Sequence, residues 1–310
     1  MKKKLSYILF LIATVIWGLA FIAQKAATLI PPFTVGAIRS LLASLFLLAL
    51  IPIMDRVSGN GRHLFGGKTA LDFNKRELVG GLVLGVIITV ATAFQQYGLG
   101  EGTDAGKAAF ITALYVVVVP IFSAITGKKP GLLPIISIPV AMFGFYLLCI
   151  QDNFSLNASD LLVLVCAVIF AGHIIAVDRF SPGCDGVRMS FLQFFVSFIL
   201  NSILALIIEG TVDMKTIGSA IGSLLFLGIM SSGVAYTLQI IGQKDADPTI
   251  ASMILSLESV FGVIGGTVLL NERMTNREII GCVIVFSAVL MAQIDPAWVR
   301  KIFKRGKRDE

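Results

Sequence analysis

The chain has 310 residues, of which 56% are hydrophobic and only 14% charged, and its mean hydropathy is +0.89. Such values lie outside the range of soluble globular domains and mark an integral membrane protein. The formal net charge of +6 does not point to nucleic acid, because the lysines and arginines sit in loops and tails between apolar runs, with neither a basic groove pattern nor a stacking surface.

Apolar runs bounded by charge, Gly and Pro predict an all-α membrane protein of ten spans: 5–23, 33–54, 78–97, 105–126, 132–150, 160–177, 189–208, 218–239, 249–270 and 278–294. The first follows Lys2, Lys3 and Lys4, is too long for an ordinary signal-peptide core and carries Trp17, so it is read as an uncleaved helix. With the N-terminus in the cytoplasm, 19 Lys and Arg fall on the cytoplasmic side and five (Lys25, Lys107, Lys215, Arg273, Arg277) on the other. That asymmetry predicts a multi-pass protein of the cell membrane with both termini cytoplasmic.

Cys149, Cys166, Cys184 and Cys282 are scattered without metal-ligand spacing, and there are two histidines, so neither a disulfide framework nor a metal site is expected. Enzymatic readings fail as well. Ser231, Ser232 and His173 match no nucleophile motif, and no glycine-rich phosphate loop precedes a lysine. No cofactor is expected, and energy must come from an ion or substrate gradient.

Sliding the chain by 143 residues sets Gln96 on Gln239, Asp104 on Asp247, Leu114 on Leu257 and Ile121 on Ile264. The polar matches carry most weight, since apolar letters coincide by chance. Spans 3 and 4 thereby pair with spans 8 and 9, which predicts two five-helix repeats, 5–150 and 158–295, followed by a basic tail, 296–310. Five is odd, so the second repeat enters the membrane inverted, a recurrent plan of secondary transporters.

Trp17, Gly18 and Phe21, Arg39, the stretch TDAGKAAFITALYVVVVP from Thr103, and ASMILSLESVFGVIGGTVLLNE from Ala251 to Glu272 together resemble the EamA family of the drug/metabolite transporters, over nearly the whole chain. The resemblance implies a ten-helix inverted-repeat carrier of small organic metabolites, outward in many members. One departure is Ser259 after Glu258, where the family often has proline, which predicts a less kinked ninth helix; in the first half Pro120 lies inside span 4.

Polar residues inside the spans nominate the site. Glu258 lies near the middle of span 9, where a carboxyl facing lipid costs roughly 2.5 to 3.5 kcal/mol, so it must face protein, water or ligand. Ala251, Gly262 and Gly265 share its face and predict close packing. Thr14, Trp17, Phe21 and Gln24 share a face of span 1; Thr89, Thr92 and Gln96 of span 3; Ser232, Tyr236 and Gln239 of span 8. Ser190, Gln193, Ser197 and Asn201 of span 7 read as packing residues. Arg39 either binds a substrate carboxylate or snorkels outward to an acid such as Glu101. His173 is placed near Trp17 from the opposite half, and Tyr115 is the counterpart of Glu258.

The expected substrate cavity is therefore Trp17, Phe21, Arg39, Gln96, Tyr115, His173, Tyr236, Gln239 and Glu258. Glu258, neutral when occluded and ionised when open to water, is a candidate for exchanging a proton against substrate or for holding a cationic substrate directly; the alternative is a permanently protonated acid hydrogen-bonded to a neighbouring helix. The expected partners are a small-molecule substrate, the lipid bilayer, a proton and a second copy in a homodimer. The function expected is export of an amino acid or related metabolite; the alternative is a non-transporting scaffold or assembly factor.

Overall fold

A computed structural model describes residues 2–58, 73–128, 130–149, 157–269 and 274–294. The basic tail, Asn271 and Glu272, the acidic loop around Asp152 and most of the cationic loop between the second and third spans lie outside the described residues.

We number the long helical units α1 (Lys2–Ala26), α2 (Pro32–Ser58), α3 (Lys75–Gly100), α4 (Ala105–Ala113 with Tyr115–Ile125), α5 (Leu132–Cys149) and α6 (Ala158–Phe180). They continue as α7 (Gly186–Leu204 with Ala205–Glu209), α8 (Ile221–Leu225, Phe226–Ala235 and Tyr236–Gln243), α9 (Pro248–Leu255 with Glu258–Leu269) and α10 (Asn276–Ala292). Among the described residues eight units, α1 to α4 and α6 to α9, are long and apolar enough to cross a membrane. α5 and α10, with 18 and 17 residues, are shorter. At about 1.5 Å per residue they reach about 26 Å, slightly less than a typical hydrocarbon core.

Large apolar side chains cover the outside: Ile8, Leu11, Ile12 and Val15 on α1 and Leu82, Val86 and Val90 on α3 are all exposed. A surface of this kind suits lipid, where helices satisfy their own backbone polar groups. Inside, α2 packs on α7, α5 on α10, α3 on α6 and α7, α8 on α1 and α2, α9 on α1 and α4, and α4 on α6. Two of these contacts are backbone against backbone. A Cβ at Gly18 would lie 2.6 Å from the Gly262 nitrogen, and one at Gly281 would lie 2.8 Å from the Gly144 oxygen, so only glycine fits.

Helix starts carry their own chemistry. Asn74 and Glu77 form a reciprocal cap at α3 (2.8 and 2.9 Å), and Glu77 also accepts from the Asp185 backbone nitrogen at 2.8 Å, fastening α3 to the start of α7. Asp247 caps α9 ahead of Pro248.

Four helices depart from the regular course that hydropathy suggests, the simplest being α7, whose last five residues, Ala205–Glu209, are π-helical. α9 is broken at Ser256 and Leu257, although no proline follows Glu258. The serine-rich turn accounts for it: Ser252 and Ser256 hydroxyls donate to carbonyls three residues back, and the Leu257 and Ser259 nitrogens bond at the same short spacing. α4 breaks at Leu114 rather than at Pro120, which sits within its second segment. Under the 143-residue shift Leu114 falls on Leu257, so the two breaks share a register. α8 contains a ten-residue π-helical stretch, Phe226–Ala235, a wide-turn geometry most often found at functional sites.

Candidate functional site

The break in α9 and the π-helical stretch of α8 face one another across a cavity deep in the bundle. About 480 Å³ there is not filled by protein atoms, part of it open to the outside, and the space is bounded by α1, α4, α6, α8 and α9, with one residue each from α2 and α3. Trp17, Phe21, Arg39, Tyr115, His173, Tyr236, Gln239 and Glu258 all line it. Gln96 does not: its Nε2 donates to the Gln24 carbonyl at 3.2 Å, and the neighbouring Gln95 reaches the cavity instead.

One wall is aromatic. Trp17 and Tyr236 have ring centroids 4.6 Å apart, and His173 meets the Tyr236 ring edge-on at 5.8 Å. Trp17 is oriented by donation from Nε1 to the Ser231 carbonyl at 3.3 Å, within the π-helical stretch. His173 Nε2 lies 2.8 Å from Gln193 Oε1; with that oxygen as acceptor the ring proton is on Nε2 and Nδ1 faces the interior as an acceptor.

The polar side is unusual for a membrane interior. Arg39 is 5% exposed and does not snorkel to Glu101. Its Nε donates to Ser232 Oγ at 3.0 Å and Nη2 to Ser231 Oγ at 3.3 Å. Among the described residues it forms no ion pair. Glu258, also 5% exposed, opens the second segment of α9 beside Tyr115, which opens the second segment of α4. Tyr115 and Glu258 interact, yet the Tyr115 hydroxyl and Glu258 Oε1 complete no hydrogen bond of good geometry. Gln24 Oε1, His173 Nδ1 and Gln239 Oε1 also lack a protein partner. Buried polar atoms are almost always paired, and here five unpaired ones border a single cavity.

The model of the EamA-like transporter family matches the chain twice, over residues 4–150 and 157–293. The chain belongs to the EamA-like transporter family. EamA members are transporters rather than enzymes, and the general transporter role follows. The chain is 27% identical over 285 residues to an uncharacterized transporter of Archaeoglobus fulgidus, covering 91% of this chain and 84% of that one. It is 20% identical over 289 residues to the uncharacterized transporter YoaV of Bacillus subtilis, covering 90% and 93%. A crystal structure at 18% identity superposes with a TM-score of 0.73 over 93% of this chain and 96% of the other, a likeness of fold alone.

Within this EamA chain some cavity residues lay outside the sequence reading. Gln95 donates to Thr112 Oγ1 at 3.1 Å, and both line the cavity with Phe170 and Ser231. Gln95 follows Thr92 by three positions, a spacing that was open to the same face argument as Gln96. Phe170 and Ser231 carried no signal, because aromatic and hydroxyl residues in spans are common packing groups. Thr14, Thr89 and Thr92 instead donate to carbonyls of their own helices. Ser197 bonds Ser40 at 3.1 Å and Thr89 at 3.0 Å, and Ser190 bonds Thr237 at 2.7 Å, as packing residues do. Lys25 ties two helix ends together by donating to the Leu99 and Thr103 carbonyls, both at 3.1 Å.

Proposed function

We propose that this chain is a secondary carrier of a small organic solute, an exporter of an amino acid or related metabolite at the cell membrane. The observation that carries the reading is the concentration of unpaired buried polar atoms on one cavity in the middle of the bundle. A scaffold gains nothing from such groups, because each costs free energy in the free protein and is repaid only by a bound molecule or water.

The architecture we infer is ten crossings in two inverted repeats, 5–150 and 158–295, with both termini and the basic tail in the cytoplasm. Two lines support it. The helix pairing is unchanged when every helix number is shifted by five: α3 on α6 becomes α8 on α1, α9 on α1 becomes α4 on α6, and α2 on α7 maps onto itself. The breaks at Leu114 and Leu257 share a register. In this reading Glu258 couples transport to a proton, and the assembly is a homodimer, which the mass of the protein in lipid nanodiscs tests.

Purified protein in liposomes decides the function. Flux of radiolabelled metabolites above empty vesicles is expected, reduced by Trp17→Ala at unchanged expression; no flux from a broad panel returns the scaffold reading. Reporter fusions decide topology, and a C-terminal tail outside the cell overturns the inverted arrangement.

A further inference from the structure

The polar groups of the cavity are sorted by chemistry as well as by place. Gln239 Nε2 donates to Gln243 Oε1 at 2.9 Å, and Gln243 Nε2 donates to the main-chain carbonyl of Ile174 at 3.0 Å. A carbonyl only accepts, so this relay cannot run in reverse, and Gln239 Oε1 is fixed as an acceptor that no protein donor meets. Glu258 Oε1 is a second such acceptor, and both line the cavity. From α2, Arg39 brings the opposite need. Ser231 and Ser232 take two of its N–H bonds, and further donors remain on a guanidinium that no described carboxylate neutralises.

Among the described residues Arg39 and Glu258 form no ion pair with each other. Arg39 is held on the π-helical stretch of α8 by its serines, whereas Glu258 is turned toward Tyr115 of α4. A lone anion on Arg39 would leave Glu258 and Gln239 without donors. A lone cation on Glu258 would leave the Arg39 guanidinium uncompensated, and a solute without a carboxylate would leave it buried and unpaired as well. One class of small molecule meets both needs while adding no net charge.

We propose that Arg39 and Glu258 are the two poles of a zwitterion site, Arg39, positioned by Ser231 and Ser232, holding a carboxylate, and Glu258 with Gln239 holding an ammonium group. The assignment rests on reading the cavity as a carrier's binding site and specifies which wall takes which end. Arg39 suits the carboxylate, since its planar fork donates to two oxygens at once. The ammonium is a compact donor of three hydrogen bonds, matched by clustered acceptors rather than by a fork.

The test removes one ligand charge at a time. Thermal stabilisation of the purified full-length protein is measured with each protein-building L-amino acid, and the tightest is compared with its methyl ester and its N-acetyl derivative. In the wild type each derivative is expected to bind roughly ten- to a hundred-fold more weakly, the range for a charge-assisted hydrogen bond. In Arg39→Gln the free acid and the ester should bind alike; in Glu258→Gln the amine and its N-acetyl form should bind alike. An ester as tight as its parent in the wild type, or an acid-to-ester ratio unchanged in Arg39→Gln, overturns the assignment. The wild-type comparison needs no variant, so it decides even if a substitution prevents folding. If no amino acid binds while liposomes carry some other solute, the zwitterion site falls and the carrier stands. If no solute moves at all, the carrier reading falls and the assignment with it.

Discussion

Two of the arginines among the described residues are buried, and they are held in opposite ways. Arg188, at the start of α7, is 3% exposed and makes a two-pronged ion pair with Asp55 of α2, at 2.8 and 2.7 Å. Asp185 adds a second, longer contact at 3.7 Å. Arg39, also on α2, has only serine hydroxyls and a cavity. The first arginine is complete within the protein, with its charge matched and its fork filled. The second is left incomplete where a solute could finish it. The same residue type thus ties α7 to α2 in one place and lines a cavity in the other, and only the partners tell them apart.

Breaking the complete pair should have the largest effect on stability. Arg188→Leu strands the Asp55 carboxylate in the interior and is expected to cost about 3–5 kcal/mol, read as a lower thermal midpoint of the detergent-solubilised protein. Adding Asp55→Leu should recover most of it, because the loss comes from the unpaired charge; a double variant as unstable as the single one would mean that the pair itself holds α2 to α7.

Next in size is the close contact of α1 with α9. Gly18→Ala places a Cβ 2.6 to 2.8 Å from backbone atoms of Gly262, Phe261 and Glu258, and overpacking of this kind costs about 1–3 kcal/mol. A thermal midpoint equal to that of the wild type would show that the helices separate freely there.

The smallest change in stability is expected at the incomplete sites, where it comes with the largest loss of flux. Arg39→Gln and Glu258→Gln remove buried ionisable groups that no described ion pair balances, so the stability read from their thermal midpoints should stay within about 1 kcal/mol of the wild type or rise. Flux in liposomes should fall at least about tenfold for each, in line with loss of one charge-assisted bond. Glu258→Gln should also lose its response to an imposed pH gradient. Wild-type flux with the same pH response in that variant would remove Glu258 from coupling.

The contrast also marks how far the amino-acid sequence could be read. Long apolar runs gave the helices, because a membrane-crossing segment announces itself within twenty or so residues, and Glu258, Arg39 and Trp17 stood out as polar or amphipathic groups inside such runs. Arg188 did not stand out. It was counted among loop cations, and its partner Asp55 is 133 positions away with no local pattern to join them. Gln96 shares the helical spacing of Thr89 and Thr92, yet it bonds the Gln24 carbonyl while Gln95, one step around α3, reaches the cavity, and spacing alone does not separate two such neighbours. The π-helical stretch of α8 and the break at Leu114 were equally hidden, since both are choices of hydrogen-bond register that hydropathy does not record.

The contact of Gly18 with Gly262 has a mechanical consequence. Trp17 adjoins Gly18 in sequence, and the Glu258 carbonyl is one of the atoms that a side chain at Gly18 would strike. Main chain bearing on main chain leaves no compressible layer between α1 and α9, so the wall that holds Trp17 and the wall that holds Glu258 form one stiff plate. Widening of the chamber is therefore expected from its other walls, first of all α8 with its wide-turn segment and α2 behind it. Cross-linking engineered cysteines across α1 and α9 should therefore leave the machine running, whereas a cross-link between α2 and α8 should jam it.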